Sequence, residues 1–369
     1  MSTRQHVTFW KSDRSRLGAG STAKSHAVKH ATTAVIPTRL GLRAGDWVRV
    51  RSREEILATL DARATLDDLP FQPEMLAFCG RRMRVAKVAH KTCDNIRKTG
   101  GRGMENAVHL EGGRCDGAAH AGCQADCVFF WKESWLRHDD DARTVSVEAG
   151  PCTEETVRAS VRLDQTADPV WVCQTTKLYD ATSLLRWWDV RQYVRDVTSG
   201  NHTLGNILRL LMFAMYRNLV AQGYGYRYLV AFYNRFQRLR GGKPFPRGDG
   251  LIPDGKPTPT EILNLQPGEW VEVRSQDEIL PTITTHGVNR GMRYDMEMAK
   301  YSGERYRVQM RVDRLINEKT GKMLVMKSPC IQLEDVYCRA ECTEHRVGCP
   351  RASNTYWREI WLRRVPPSS

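Results

Sequence analysis

Nine of the eleven cysteines of this 369-residue chain fall in two stretches: Cys79, Cys93, Cys115, Cys123 and Cys127, then Cys330, Cys338, Cys342 and Cys349. The first residues, "MSTRQHVTFWKSDRSRLGAGSTAKSHAVKH", lack the apolar core of a secretory signal, so these thiols point to metal binding or catalysis rather than to disulfides. The second stretch reads Cys-x7-Cys-x3-Cys-x6-Cys. Four soft ligands so close together suit zinc or an iron–sulfur cluster, because thiolates neutralise the metal charge and each closes a short loop around it. In the first stretch Cys115-x7-Cys123-x3-Cys127 supplies three ligands, and Cys79 and Cys93 supply a fourth and more. Neither stretch holds the paired Cys-x2-Cys knuckles common in structural zinc sites. Iron–sulfur clusters, one per stretch, are therefore expected, with zinc as the alternative. Cys152 and Cys173 lie outside and read as buried thiols.

The first stretch also carries His90 in "AHKTCD", His109 in "VHLEG", and Asp116 and His120 in "CDGAAHAGC". Metal-assisted chemistry needs an open coordination position beside titratable groups. His90 or His120 and Asp116 are the candidate proton carriers. The second stretch places Asp313, Gln332 and roughly His345 at the three histidine positions. That contrast makes the first site the reactive one and the second a structural or electron-relay site.

The elements that must hold these ligands repeat. "LRAGDWVRVRSREEILATL" (42–60) returns as "LQPGEWVEVRSQDEILPTI" (265–283), an offset of 223 that also lays Cys115 over Cys338. After a three-residue insertion the offset becomes 226, placing Cys123 over Cys349, Trp131 and Trp135 over Trp357 and Trp361, and Cys127 over Ser353. The chain thus contains two homologous modules, 42–138 and 265–365. Each opens with a turn and an alternating strand, then a short helix with a capping box, "SREE" or "SQDE". Further period-two stretches follow, and "EKTGKML" is a hairpin turn. The tryptophans are expected in the core, with Lys132, Arg137, Arg358 and Arg363 facing solvent.

The connecting region, 139–240, carries apolar residues at three-and-four spacing (Ile207, Leu210, Leu211, Ala214, Met215) and reads as a helical segment forming a core between the modules. Residues 241–264 are a Pro/Gly-rich linker. Residues 1–41 form a basic tail expected to be disordered: 1–40 hold seven Lys/Arg and one acid, +6 of the chain's +14. No run of apolar residues is long enough for a bilayer, so a cytoplasmic protein without a membrane partner is expected.

The opening Gly-acid-x-Val-x-Val resembles the first strand of SH3-like and KOW-type barrels. The fold expected is α+β: two homologous small SH3-like β-barrel modules, each with a Cys-rich metal loop, joined by a helical segment. Through "FCGRRMRV", "HKTCDNI", "VHLEGGRCDGAAHAGCQADC", "FWKESWL", "WWDVRQYVRDVTSGN", "INEKTGKML" and "YWREIWLRRV", the chain resembles a family of bacterial twin-repeat, Cys-rich proteins. Genes of that family often neighbour glycosyltransferase or natural-product biosynthetic genes. The resemblance implies a role in small-molecule biosynthesis, with a small-molecule substrate; the iron–sulfur reading adds an electron-donor protein as a partner. The alternative is a twin zinc-stabilised barrel protein that binds nucleic acid.

Overall fold

Both modules are built on the same antiparallel ladder. The structure, a computed structural model, describes residues 36–94, 96–97, 100–141, 148, 150–223, 225–342 and 346–366. Most of the basic tail and His345 lie outside the described residues. Module 1 contains β1 (Trp47–Val50), α1 (Arg53–Leu57), β2 (Arg82–Val88), β3 (Lys91–Cys93), β4 (Gly101–Gly103), β5 (Ala107–Leu110), β6 (Trp131–Lys132) and β7 (Leu136–His138). Between the modules come α2 (Glu154–Ala159), α3 (Gln174–Lys177), β8 (Ser183–Leu185), α4 (Arg191–Thr198), α5 (Leu204–Ala221) and α6 (Tyr226–Leu239). Module 2 contains β9 (Trp270–Val273), α7 (Gln276–Ile279), β10 (Arg305–Arg311), β11 (Arg314–Ile316), β12 (Met323–Val325), β13 (Ile331–Leu333) and β14 (Leu362–Arg364).

The sheet of module 1 has the order β6-β5-β2-β1-β7, and that of module 2 the order β13-β10-β9-β14. Register is kept residue for residue: Trp47 faces Arg84 as Trp270 faces Arg307. The ladder is disturbed at the same place in both, between Val85 and Lys87 and between Val308 and Met310. Val108 faces Trp131, and Ile331 meets Trp357 in an isolated bridge. The expected α+β class is therefore met. Among the described residues the sheets do not close: the two edges of module 1 are joined by the single turn Glu133–Trp135, with no ladder between β6 and β7.

Sequence-level details recur with the fold. Ser52 accepts from the Glu55 amide and Ser275 from the Glu278 amide, each closing the capping box. Trp135 donates its indole N–H to Thr59 and Trp361 to Thr282, and all four repeated tryptophans are fully buried. Two side chains expected in solvent are not there. Lys132 is buried on Asp67 and the Glu105 carbonyl, and Arg358 donates to the carbonyls of Asn289, Arg290, Ser328 and Pro329. A buried cation needs such partners.

The modules meet through exchanged hairpins. In module 2 the β11–β12 hairpin crosses to the cysteine loop of module 1: Gln124 bonds the Arg314 backbone and the Ile316 amide donates to Cys123 Sγ at 3.3 Å. In module 1 the β3–β4 hairpin crosses to the cysteine loop of module 2: Lys91 donates to the Val347 carbonyl at 2.7 Å, and the thiols of Cys93 and Cys349 are hydrogen-bonded. Cys93 and Ile316 are equivalent positions, as are Cys349 and Cys123. The described residues all belong to one compact unit, Thr33–Ser369.

Because the modules pack directly on each other, the helical segment is not a core between them. On α5 only Ile207, Leu210, Arg217 and Val220 are buried, and on α6 nothing is. Ring contacts join the pair: Phe213 packs on Tyr233, and Tyr233 on Phe245.

Candidate metal centres between the modules

The cysteine loop of module 1 is a tight backbone construction. Cys115 donates its amide to the Cys127 carbonyl at 2.9 Å, and Arg114 bridges Val128, so Cys115 and Cys127 start side by side. Within the loop the amides of His120 and Gly122 return to the Gly117 carbonyl. Gly117 takes φ +69°, and a Cβ there would lie 2.0 Å from the Cys123 carbonyl oxygen, so only glycine fits.

A fourth thiol arrives from outside the module. Gln174, at the start of α3, accepts from the Phe130 amide at 2.8 Å and donates to the carbonyls of Phe130 and Pro70, while its own amide donates to Gln72 Oε1. This clamp fixes Cys173 beside the loop. Cys115, Cys123, Cys127 and Cys173 line one cavity of about 370 Å³, with Glu318, Lys319, Arg351 and Tyr356 of module 2 on its far wall. Burial pushes the thiols of Cys115, Cys123 and Cys127 up. Cys173 lies close enough to add to the shift of each. Cys173 was not legible as a site residue, since it lies outside the repeat and in no cysteine-rich spacing.

Glu74 and His120 stand behind Cys115. Among the described residues, Glu74, Cys115 and His120 are the one group of three potential ligands whose ligand atoms all lie within 4.8 Å of one another. Burial pushes the Glu74 carboxyl up, but the hydrogen bond and charge of His120 and the amides that bond it outweigh this and hold it below its ordinary value. Its Oε2 is buried with no hydrogen-bond partner. His120 is engaged at both nitrogens, Nδ1 2.7 Å from Glu74 Oε1 and Nε2 2.9 Å from the Val172 carbonyl. Both ring nitrogens are thus taken by oxygens, and neither hydrogen-bonds Cys115 as a base bonds a nucleophile.

The other thiols separate into places of their own. Cys93, Cys338 and Cys349 form a second group. The Cys349 hydrogen bond comes first among the influences that bring the Cys93 thiol down to about 6, with Arg351 and Arg346 helping against burial. Cys349 is pushed up by the same bond and by burial, and Cys338 by burial, Glu297 and Cys93. Cys330 shares a cavity of about 660 Å³ with Cys93 and Cys338, and burial pushes its thiol up to about 12. Cys342 turns to a different cavity, under α5 and α6, although its amide bonds Glu297. Cys79 packs against the module 1 core, where burial pushes its thiol up to about 11, and it lines neither thiol cavity.

The remaining candidates lie elsewhere. Asp116 is exposed and accepts from the Ala118 amide. His90 is buried against Asp196 at 3.2 Å, whose other oxygen holds Lys91 at 2.6 Å. His109 donates from Nδ1 to the Phe129 carbonyl at 2.9 Å, and burial brings its pKa down to about 4. Arg351 joins the two thiol groups. It donates to Glu318 at 2.6 Å, lies 3.9 Å from Cys93 Sγ, and forms part of the wall beside Cys127.

No protein-family model, curated protein or solved structure matches the chain.

Proposed function

We propose that the chain is a two-cluster iron–sulfur protein acting as an enzyme on a small molecule in bacterial biosynthesis. The observation that carries this reading is the convergence of Cys115, Cys123, Cys127 and Cys173 on one cavity between the modules. Four thiols are a full set for a cluster. The orphaned Glu74 oxygen and the uncompensated burial of the thiols suit a cation there. Among the described residues no three sulfurs lie within 4.8 Å of one another. One tetrahedral zinc, about 2.3 Å from each sulfur, needs sulfurs about 3.8 Å apart, whereas a cluster spreads its thiolates over several irons.

Cys338, Cys349 and Cys93, with Cys330 facing the shared cavity, would hold the second centre. It acts as a structural site or electron relay, with Arg351 between the two. When bound, such centres supply electron transfer, sulfur transfer or Lewis-acid elimination. The chain's own residues bind the substrate: Lys319, exposed at the rim, and Arg351 suit an anionic group, and Tyr356 supplies an aromatic wall. An electron-donor protein is the implied partner. Each module is read as an SH3-like barrel left open at one seam, on the strength of its strand order and, in module 1, of the turn joining its edges.

The nucleic-acid alternative finds less support, because strand arginines are already matched by acids: Arg82 with Asp139, Arg363 with Glu272 and Glu278, Arg364 with Glu269. Anaerobic purification with iron, zinc and acid-labile sulfide analysis, followed by EPR and Mössbauer spectroscopy, tests the proposal. Two clusters per chain are expected. A colourless protein holding zinc and no iron or sulfide overturns it.

A further inference from the structure

The helical hairpin α5–α6 presents an apolar stripe that none of the described residues covers. On α5, Leu204, Leu208, Met212, Met215 and Leu219 recur at four- and three-residue intervals and are all exposed, Met215 by 71%. On α6, Tyr228, Phe232, Phe236 and Leu239 do the same, with Tyr228 exposed by 83% and Leu239 by 79%. A helix exposing apolar residues at this period has a face meant for an apolar surrounding.

Charge identifies that surrounding. Residues 204–243 carry seven Lys/Arg and no Asp or Glu. Arg209 and Arg217 are spent on holding the hairpin to module 2, through Glu341 and the Cys342 carbonyl. On α6, Arg227, Arg235 and Arg238 are exposed and each precedes an exposed apolar residue, so the cations flank the stripe. Arg240 lies over the Phe236 ring at 5.3 Å. Long cationic side chains flanking an aromatic and aliphatic stripe suit the boundary between hydrocarbon and anionic headgroups. The stripe continues through Met212, Phe232 and Phe236 into a groove of about 630 Å³ between the hairpin and module 2.

We propose that α5 and α6 seat the protein on an anionic phospholipid surface, lying in the interface rather than crossing it. No helix among the described residues is long and apolar enough to span a bilayer. Two other occupants fit less well. A second copy of this chain would bring two acid-free cationic hairpins face to face. A nucleic acid would leave the aliphatic stripe of α5 against phosphates, with no hydrogen-bonding group to offer them. The inference stands independently of the metal centres, and it revises the expectation that membranes are not partners.

The test is co-sedimentation of the purified, metal-loaded full chain with vesicles of phosphatidylcholine alone or with 30 mol% phosphatidylglycerol (~30%, enough for a strongly anionic surface). Binding to the anionic vesicles is expected to be at least about tenfold tighter than to neutral ones and to weaken with salt. Tyr228→Ser with Leu239→Ser, and separately Arg235→Glu with Arg238→Glu, are each expected to lower that binding by about tenfold or more. Circular dichroism and metal content, unchanged, would show that the variants are folded. Since the basic tail also attracts anionic lipid, full binding by both folded variants overturns the proposal. Absence of wild-type binding at low salt overturns it as well. So does a stripe-dependent dimer in sedimentation velocity, or stripe-dependent oligonucleotide binding, without vesicle binding.

Discussion

Modules 1 and 2 share a sheet, a capped helix, a buried tryptophan pair and a backbone-closed cysteine loop, yet they complete their thiol groups from different directions. Module 1 adds Cys127 within its loop and Cys173 from the connecting region. Module 2 has Ser353 opposite Cys127 and receives Cys93 from module 1 instead. Register and packing match through both cores. At the loop rims, where one module meets the other, the thiols differ while the strands stay in register. The modules differ where the contacts are between them and agree where the contacts are within them.

On the two-cluster proposal, the largest effect comes from removing one thiol from one group only. Cys127→Ala and Cys173→Ala are each expected to remove about half of the iron and sulfide and all activity, leaving the signal of the second centre in EPR. Cys79→Ala should leave metal content unchanged. Equal loss from both centres in Cys173→Ala would mean that the two are not separate sites.

Next is the ion pair that ties module 1 to both α4 and the loop of module 2. Asp196 is fully buried between His90 and Lys91, so Asp196→Ala leaves a buried cation uncompensated and is expected to cost about 3–5 kcal/mol in urea unfolding. A loss under 1 kcal/mol (about the value of an exposed pair) would show that the hairpin is held by other contacts.

His109 gives a pH dependence that its equivalent, Gln332, does not provide. Its folded pKa of about 4 lies below the unfolded value of about 6.5. The unfolded chain therefore binds the proton first as pH falls. Stability from the neutral ring is full above pH 6.5 and is lost toward pH 4, amounting to about 2 kcal/mol at pH 5. His109→Gln should flatten the difference between urea midpoints at pH 7 and pH 5. An unchanged difference would locate the titrating group elsewhere.

The smallest effect compares the repeated caps. Ser52→Ala and Ser275→Ala should each cost about 1 kcal/mol, and by equal amounts within a few tenths. A clear inequality would mean that the scaffolds are less alike than their registers.

Much of the ladder was legible because the repeat itself aligns strands, caps and tryptophans at fixed offsets. The candidate centres were legible only in part. Cys115, Cys123 and Cys127 stand together because backbone hydrogen bonds within a short loop bring them together, and their spacing carries that information. Cys173 depends on the Gln174 clamp, and Cys93 on the docking of a hairpin some 250 residues distant in the chain from Cys349. Nothing in local spacing reports such contacts. The apolar period of α5 was legible as helix but not as surface, since period alone does not say which face meets protein and which meets something else. Lys132 and Arg358 read as solvent-facing because their carbonyl and carboxylate partners come from other segments.

The hairpin exchange has the geometry of an isologous contact, in which each of two subunits gives its partner the part that it receives. In a homodimer the two ends of such a contact must carry the same residue, so a cysteine at one end requires a cysteine at the other. Joining the two halves in a single chain lifts that requirement. Cys93 can meet Cys349 at one end while Ile316 covers Cys123 at the other, which gives two neighbouring thiol groups different surroundings within one pseudo-symmetric body.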